Sequence, residues 1–200
     1  MRDKDRIYNV LELLNTLDNS SKTASKIVNS FFRSNKFIGS KDRKFISNIF
    51  WNIIRHQYKI KWHIKNLGLR PLNTNQLILE LFFLNDNYKN NIIKIKKILI
   101  LMSQDSRGFK QISLDFLDEK LYRNFHHPDM QDHIKYELQE FLLNSIKASF
   151  PDQWQDVALS INKEAFFDIR VNRIKNISRD QLSIKLKGLG IDHQYSQYSP

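Results

Sequence analysis

Apolar residues recur at three- and four-residue intervals along the first hundred positions, and this period constrains the fold more than any other feature of the chain. Ile7, Val10, Leu11, Leu14 and Leu17 make one stripe. Ala24, Ile27, Val28, Phe31 and Phe32 make a second, and Phe45, Ile46, Ile49, Phe50 and Ile53 a third. Such spacing lines one face of an α-helix. Breakers separate the stripes: Asp18-Asn19-Ser20-Ser21, which ends the first helix and caps the next, then Phe37-Ile38-Gly39, Gly68 with Pro71, and Asn85-Asp86-Asn87. Ser40 stands where an N-cap belongs, its hydroxyl able to accept a first-turn N–H, and a long helix follows from Lys41. Further helices are expected over 59–66, 73–84, 90–102 and 134–150, and around Val157, Ala158 and Ile161. With 5 Gly and 4 Pro the chain lacks the turn residues of a β-rich fold. Helices joined by short loops imply an all-α bundle over 1–125, with a connecting helix over 126–150.

The period changes near the end. Phe167, Ile169 and Val171 alternate with Asp168, Arg170 and Asn172, which predicts a strand with one buried face. Ser178-Arg179-Asp180-Gln181 has capping-box spacing and opens a helix carrying Leu182, Leu186 and Leu189. Gly188 and Gly190 end it, and a second strand is expected from Ile191. The expected fold class is therefore mainly α: a helical bundle followed by an incomplete α/β (β-α-β) segment over 151–200. Two strands and one helix cannot cover both faces of a sheet. Either a partner completes the sheet or the domain is cut short near Pro200, and the second is the expectation.

The formal net charge is +11, which draws attention to polyanions. Lysine drift in an AT-rich coding sequence is the competing explanation, yet drift would not respect position. Residues 1–100 hold 19 Lys and Arg against 7 Asp and Glu, whereas 101–200 hold 13 against 14. From Lys22 to Lys65 there are eleven basic residues and a single acid, Asp42. On the third helix Lys41, Lys44, Asn48 and Arg55 fall within about 60° of one another, opposite the apolar stripe. The expected RNA contacts are Arg33, Lys36, Lys41, Arg43, Lys44, Arg55, Lys59 and Lys61, with Trp51 stacking on a base. A solvated face, with Trp51 covered by a neighbouring domain, competes with that reading.

Other chemistry is sparse. The absence of cysteine excludes thiolate metal sites and thiol nucleophiles within these residues. His126, His127, Asp129 and His133 have metal-ligand side chains but straddle a proline loop without helical spacing, so no metal is expected. His56 and His63 read as surface histidines, and Glu137 and Glu140 as a solvated helix face. Gly188 and Gly190 follow a helix and precede a strand, the reverse of a cofactor-binding turn. No apolar h-region follows the N-terminus and no run approaches the roughly 20 residues that span a bilayer, so the cytoplasm is the expected location.

Three stretches carry a resemblance. Phe37-Ile38-Gly39-Ser40-Lys41-Asp42-Arg43-Lys44 with Ile54-Arg55, then His127-Pro128-Asp129-Met130 with Glu137, then Asp168-Ile169-Arg170-Val171-Asn172 with Lys175 resemble, in that order, the RsmB/Sun family. Its members are S-adenosylmethionine-dependent ribosomal RNA cytosine-C5 methyltransferases. Tyr198-Ser199-Pro200 resembles the connection further along the same domain, while Trp51 and Arg173 stand where the family has Tyr and Thr. The resemblance implies a NusB-like RNA-binding domain over 1–125 and the start of a small α/β domain in which Arg170, Asn172 and Lys175 serve as interdomain or RNA contacts. It also implies ribosomal RNA as partner and a methyltransferase core beyond Pro200, with S-adenosylmethionine and two cysteines. One of these attacks C6 of cytosine and the other helps release product. None of these catalytic features lies within the chain, which alone is expected to be inactive.

Overall fold

The computed structural model describes residues 1–89, 91–103, 125–163, 167–172, 174 and 177–196. Lys175 and the segment 198–200 lie outside the described residues. The chain divides into two compact units, Met1–Asn162 and Lys163–Pro200.

In the first unit the apolar stripes become helices that bury them. Helix α1 (Asp3–Asp18) buries Ile7, Val10, Leu11, Leu13 and Leu14. Its first turn carries Asp3 and Asp5, where carboxylates complement the positive helix end. Helix α2 (Ala24–Ser34) buries Ile27, Val28 and Phe31, and α3 (Ser40–Arg55) buries Ile46, Ile49, Phe50 and Ile53. Then follow α4 (Gln57–Asn66), α5 (Asn73–Phe83) and α6 (Ile92–Ser103). Helix α1 packs on α2, α3, α5 and α6, and α5 also meets α3, α4 and α6. Surrounded in this way, α5 buries every residue from Leu77 to Phe83 and has no polar face to lose.

Two starts differ from expectation. Ser40 is the first residue of α3 rather than its cap, and Gly39 in the cap position supplies no side chain. Thr23, not the Asp18–Ser21 stretch, immediately precedes α2, and its side chain makes no capping bond. Helix α4 ends on Gly68 in a left-handed conformation (φ 62°). There Gly68 N–H bonds the Lys65 carbonyl (3.1 Å) and Leu69 N–H the Ile64 carbonyl (2.9 Å), closing the last turn.

The expected single helix over 134–150 is two. Helix α7 (Asp132–Lys135) is one turn, and α8 (Glu140–Ser149) begins afresh. Between them Glu137 takes a left-handed conformation (φ 54°), with the same closing bonds seen after α4: Glu137 N–H to the Ile134 carbonyl and Leu138 N–H to the His133 carbonyl. Helices α8 and α9 (Trp154–Ile161) then pair around a small separate core of Leu138, Leu143, Ile146 and Ala158.

In the second unit α10 (Arg179–Gly188) begins with the expected capping box. Ser178 Oγ accepts from Gln181 N–H (3.1 Å), and Gln181 Oε1 accepts from Ser178 N–H (2.9 Å). The helix stops at Gly190 (φ 69°), whose N–H bonds the Lys187 carbonyl while Ile191 N–H bonds the Leu186 carbonyl. The segment after it folds back on α10. Ser183 Oγ lies 2.8 Å from His193 Nε2, Tyr195 Oη donates to Asp180 Oδ1 (2.9 Å), and Arg179 donates to the Ser196 carbonyl (2.8 Å). Neither expected strand forms: residues 167–172 and 191–196 carry no ladder, and no strand occurs among the described residues. A strand exists only by pairing, and among the described residues Phe167 and Ile169 remain 92% and 50% exposed, with no second strand beside them.

Candidate nucleic-acid interface

The cationic stripe is positioned by the burial of its opposite face. With Ile46, Ile49, Phe50 and Ile53 in the core, the helical period leaves Lys41, Lys44, Asn48 and Arg55 exposed on α3. Arg33 on the last turn of α2, Lys36 in the following turn and Lys61 on α4 are exposed as well. Lys61 Nζ reaches Gln57 Oε1 one turn back (3.3 Å).

Asp42, the one acid in the stretch, is held by α1. Its Oδ1 accepts from Arg6 Nε at 2.7 Å, and its Oδ2 lies 3.3 Å from the N-terminal ammonium. The Arg6 hydrogen bond holds the Asp42 carboxyl below the usual carboxylate range. It is therefore ionised yet already paired, and leaves the field of Lys41 and Lys44 standing.

Three expected contacts sit differently. Arg43 is half-buried, its Nε donating to the Ile38 carbonyl (2.7 Å) and its guanidinium 5.5 Å from the Phe32 ring. It fixes the α2–α3 turn. Lys59 is buried, its ammonium 5.7 Å from the Phe125 ring, and desolvation lowers its pKa. Trp51 is half-buried and packs edge-on against Phe50 at 5.3 Å. In the second unit Arg170 and Asn172 are exposed, and Asn172 Oδ1 accepts the Ile174 N–H (3.0 Å).

His63 and Glu137, expected at the surface, are buried, and His56 is half-buried. His63 is buried, stacked between Phe83 (4.9 Å) and Phe125 (5.7 Å), with Nε2 3.3 Å from the Phe125 carbonyl. Burial lowers its pKa, so the ring is neutral at pH 7 and donates from Nε2. His56 is half-buried, its Nδ1 3.8 Å from Glu137 Oε1. The side chain of Glu137 is only 2% exposed. Helix α4 has no capping side chain of its own, and its free N–H groups are met from a distance in sequence: Tyr58 N–H and Lys59 N–H donate to Glu137 Oε2 and Oε1 at 2.9 and 3.1 Å. His127 Nδ1 lies 3.6 Å from Asp129 Oδ2. Among the described residues no group of three or more His, Cys, Asp or Glu is arranged to hold a metal, and no helix is long and apolar enough to cross a membrane.

The cationic surface also carries an aromatic side chain that no helical period marks. Phe37, between Lys36 and Ile38, is 75% exposed. The signal was an aromatic in a basic connection, but hydrophobicity alone could not say whether it or Ile38 turns inward.

Residues 139–200 match the ferredoxin-like domain of the RsmF/B-like methyltransferases. The matched region thus begins with α8 and α9, ahead of the boundary between the two compact units. The chain is 27% identical over 172 residues to ribosomal RNA small subunit methyltransferase B of Photorhabdus laumondii, covering 82% of this chain and 40% of the relative. It is 23% identical over 158 residues to the protein of the same name from Yersinia enterocolitica, covering 74% of this chain and 37% of that one. The matched part is thus about two fifths of the length of these curated relatives. No solved structure matches. By these matches the chain is similar to part of ribosomal RNA small subunit methyltransferase B, and its residues 139–200 to the ferredoxin-like domain of the RsmF/B-like methyltransferases.

Proposed function

We propose that this chain is the RNA-binding N-terminal region of a ribosomal RNA cytosine-C5 methyltransferase. It holds RNA for a catalytic core whose cysteines and S-adenosylmethionine site are supplied outside these 200 residues. The observation that carries the reading is the exposed cationic surface of α2, α3 and α4, with its only interleaved acid already paired to Arg6. Arg33, Lys36, Lys41, Lys44, Arg55 and Lys61 bind phosphates; Lys59 is buried, and Arg43 is half-buried with its Nε bonded to the Ile38 carbonyl. Arg170 and Asn172 are exposed and join as contacts to RNA or to the core. A cysteine-free chain cannot form the C6 adduct that the family's reaction uses.

Two measurements test this. Incubation with ribosomal RNA and labelled S-adenosylmethionine yields no transfer, and methyl incorporation by this chain overturns the reading. Gel shifts at several salt concentrations give binding that weakens steeply with salt. No binding at low salt overturns it as well.

A second reading is favoured by a different observation. Met1–Asn162 is a compact unit with its own core, as a stand-alone RNA-binding or antitermination-type factor requires. Addition of a separately expressed methyltransferase core discriminates: restored methyl transfer supports the first reading, and none supports the second.

A further inference from the structure

We propose that Phe37 is a nucleobase-stacking residue, and that the nucleic acid held at the α2–α3 turn is single-stranded RNA. This rests on the RNA-binding reading above and goes beyond it in naming the form of RNA and the residue that selects it.

The turn is built to hold the ring out. Ile38 N–H bonds the Asn35 carbonyl (3.1 Å), and the Asn35 amide bonds the Phe31 carbonyl (3.0 Å). Ile38 is 1% exposed and anchors the turn in the core, while Arg43 ties its carbonyl to α3 (2.7 Å). With its neighbour anchored on both sides, Phe37 stands 75% exposed as a fixed feature of the fold.

A lone exposed apolar side chain is ordinary; its surroundings set this one apart. Arg33 and Lys36 precede it, Lys41 and Lys44 follow, all exposed, and Asp42 is occupied by Arg6. The other phenylalanines more than half exposed among the described residues, Phe141 and Phe167, have Glu140 and Asp168 as chain neighbours. An aromatic ring among cations is the arrangement that takes unpaired nucleotides: bases stack on the ring and phosphates meet the charges. In a duplex the bases already stack on one another, so only the charges would contribute.

The test uses the full chain, a short single-stranded RNA and a duplex of the same length, each titrated at several salt concentrations. Phe37→Ala weakens single-strand binding by about 10-fold, within the range of one lost base stack, and leaves duplex binding and the salt slope unchanged. Phe37→Trp restores the affinity, and its emission is quenched by the single strand. Lys41→Gln with Lys44→Gln weakens both RNAs and reduces the slope. Equal affinities of Phe37→Ala and wild type for the single strand overturn the proposal while the lysine variant still upholds RNA binding. Wild type that binds neither RNA, with the lysine variant unchanged, overturns the RNA reading and this inference together. A Phe37→Ala variant with wild-type RNA affinity that dissociates an oligomer in light scattering makes the ring a protein contact and also overturns it.

Discussion

A left-handed backbone conformation at a non-glycine residue costs on the order of 1 kcal/mol and persists only where the surroundings demand it. At Glu137 the demand is visible, because its carboxylate meets the first free N–H groups of α4. Two variants separate the effects. Glu137→Ala loses the cap and keeps the strained backbone, and should cost about 2 kcal/mol in urea unfolding. Glu137→Gly loses the same cap but suits the backbone, and should recover about 1 kcal/mol of that loss. Equal losses would mean the conformation carries no strain. Glu80 on α5 is a different case. It is fully buried; Oε1 accepts from the Asn52 amide (3.1 Å), and Oε2 finds no well-formed hydrogen bond. Burial pushes its pKa up to about 8, only partly offset by the amides of Asn52 and Asn85. The folded state thus holds a proton that the unfolded chain releases near pH 4.5, and this contribution to stability is full below pH 4.5 and lost as pH rises through about 8. Glu80→Gln should remove that dependence. Its unfolding free energy relative to wild type rises between pH 5 and 9 by on the order of 3 kcal/mol; a pH-independent difference refutes the assignment.

At the scale of the element, α3 works as a two-sided device. Its buried face fixes its rotation about its own axis, and that rotation decides which cations reach solvent. Replacing Lys41 and Lys44 by Gln should leave folding intact, since both side chains are exposed. It should reduce the slope of log affinity against log salt for single-stranded RNA by about 1.4, the value for two lost phosphate contacts. Much of this was legible in advance. The stripe positions of α1 to α3 follow from the helical period alone, and the capping box of α10 from its side chains. Lys59 and His63 were not legible. Both sit on α4, whose mixed polar and apolar sequence does not announce which side meets Phe125. The return of residues 125–138 against α4, with Phe83 of α5, covers that side.

The whole molecule is uneven in its stability. Met1–Asn162 owns the main core and the smaller one between α8 and α9. In Lys163–Pro200 the apolar side chains Phe167, Ile174, Ile184 and Leu189 are 69–92% exposed, and the described contacts there are mostly polar ties between α10 and the segment behind it. Local opening follows buried contact, so limited proteolysis should cut first within 163–200 and leave a resistant fragment ending near Asn162. Early cleavage inside α1 to α5 would contradict this. Helices α8 and α9 belong to the first unit, where they pair with each other and carry their own small core.

The sequence by itself determined α1 to α3, their buried faces and the concentration of charge between Lys22 and Lys65, because periodicity and composition are local properties. It also supported kinship with a methyltransferase family through motifs in order. The tertiary structure decided what depends on distant partners: that Glu137 caps α4, that Asp42 belongs to Arg6, that Phe37 rather than Ile38 faces solvent. It decided as well that the alternating segment 167–172 and the segment 191–196 form no strands. Alternation shows that a segment could bury one face; whether a ladder forms depends on a second strand, which no pattern within one segment supplies.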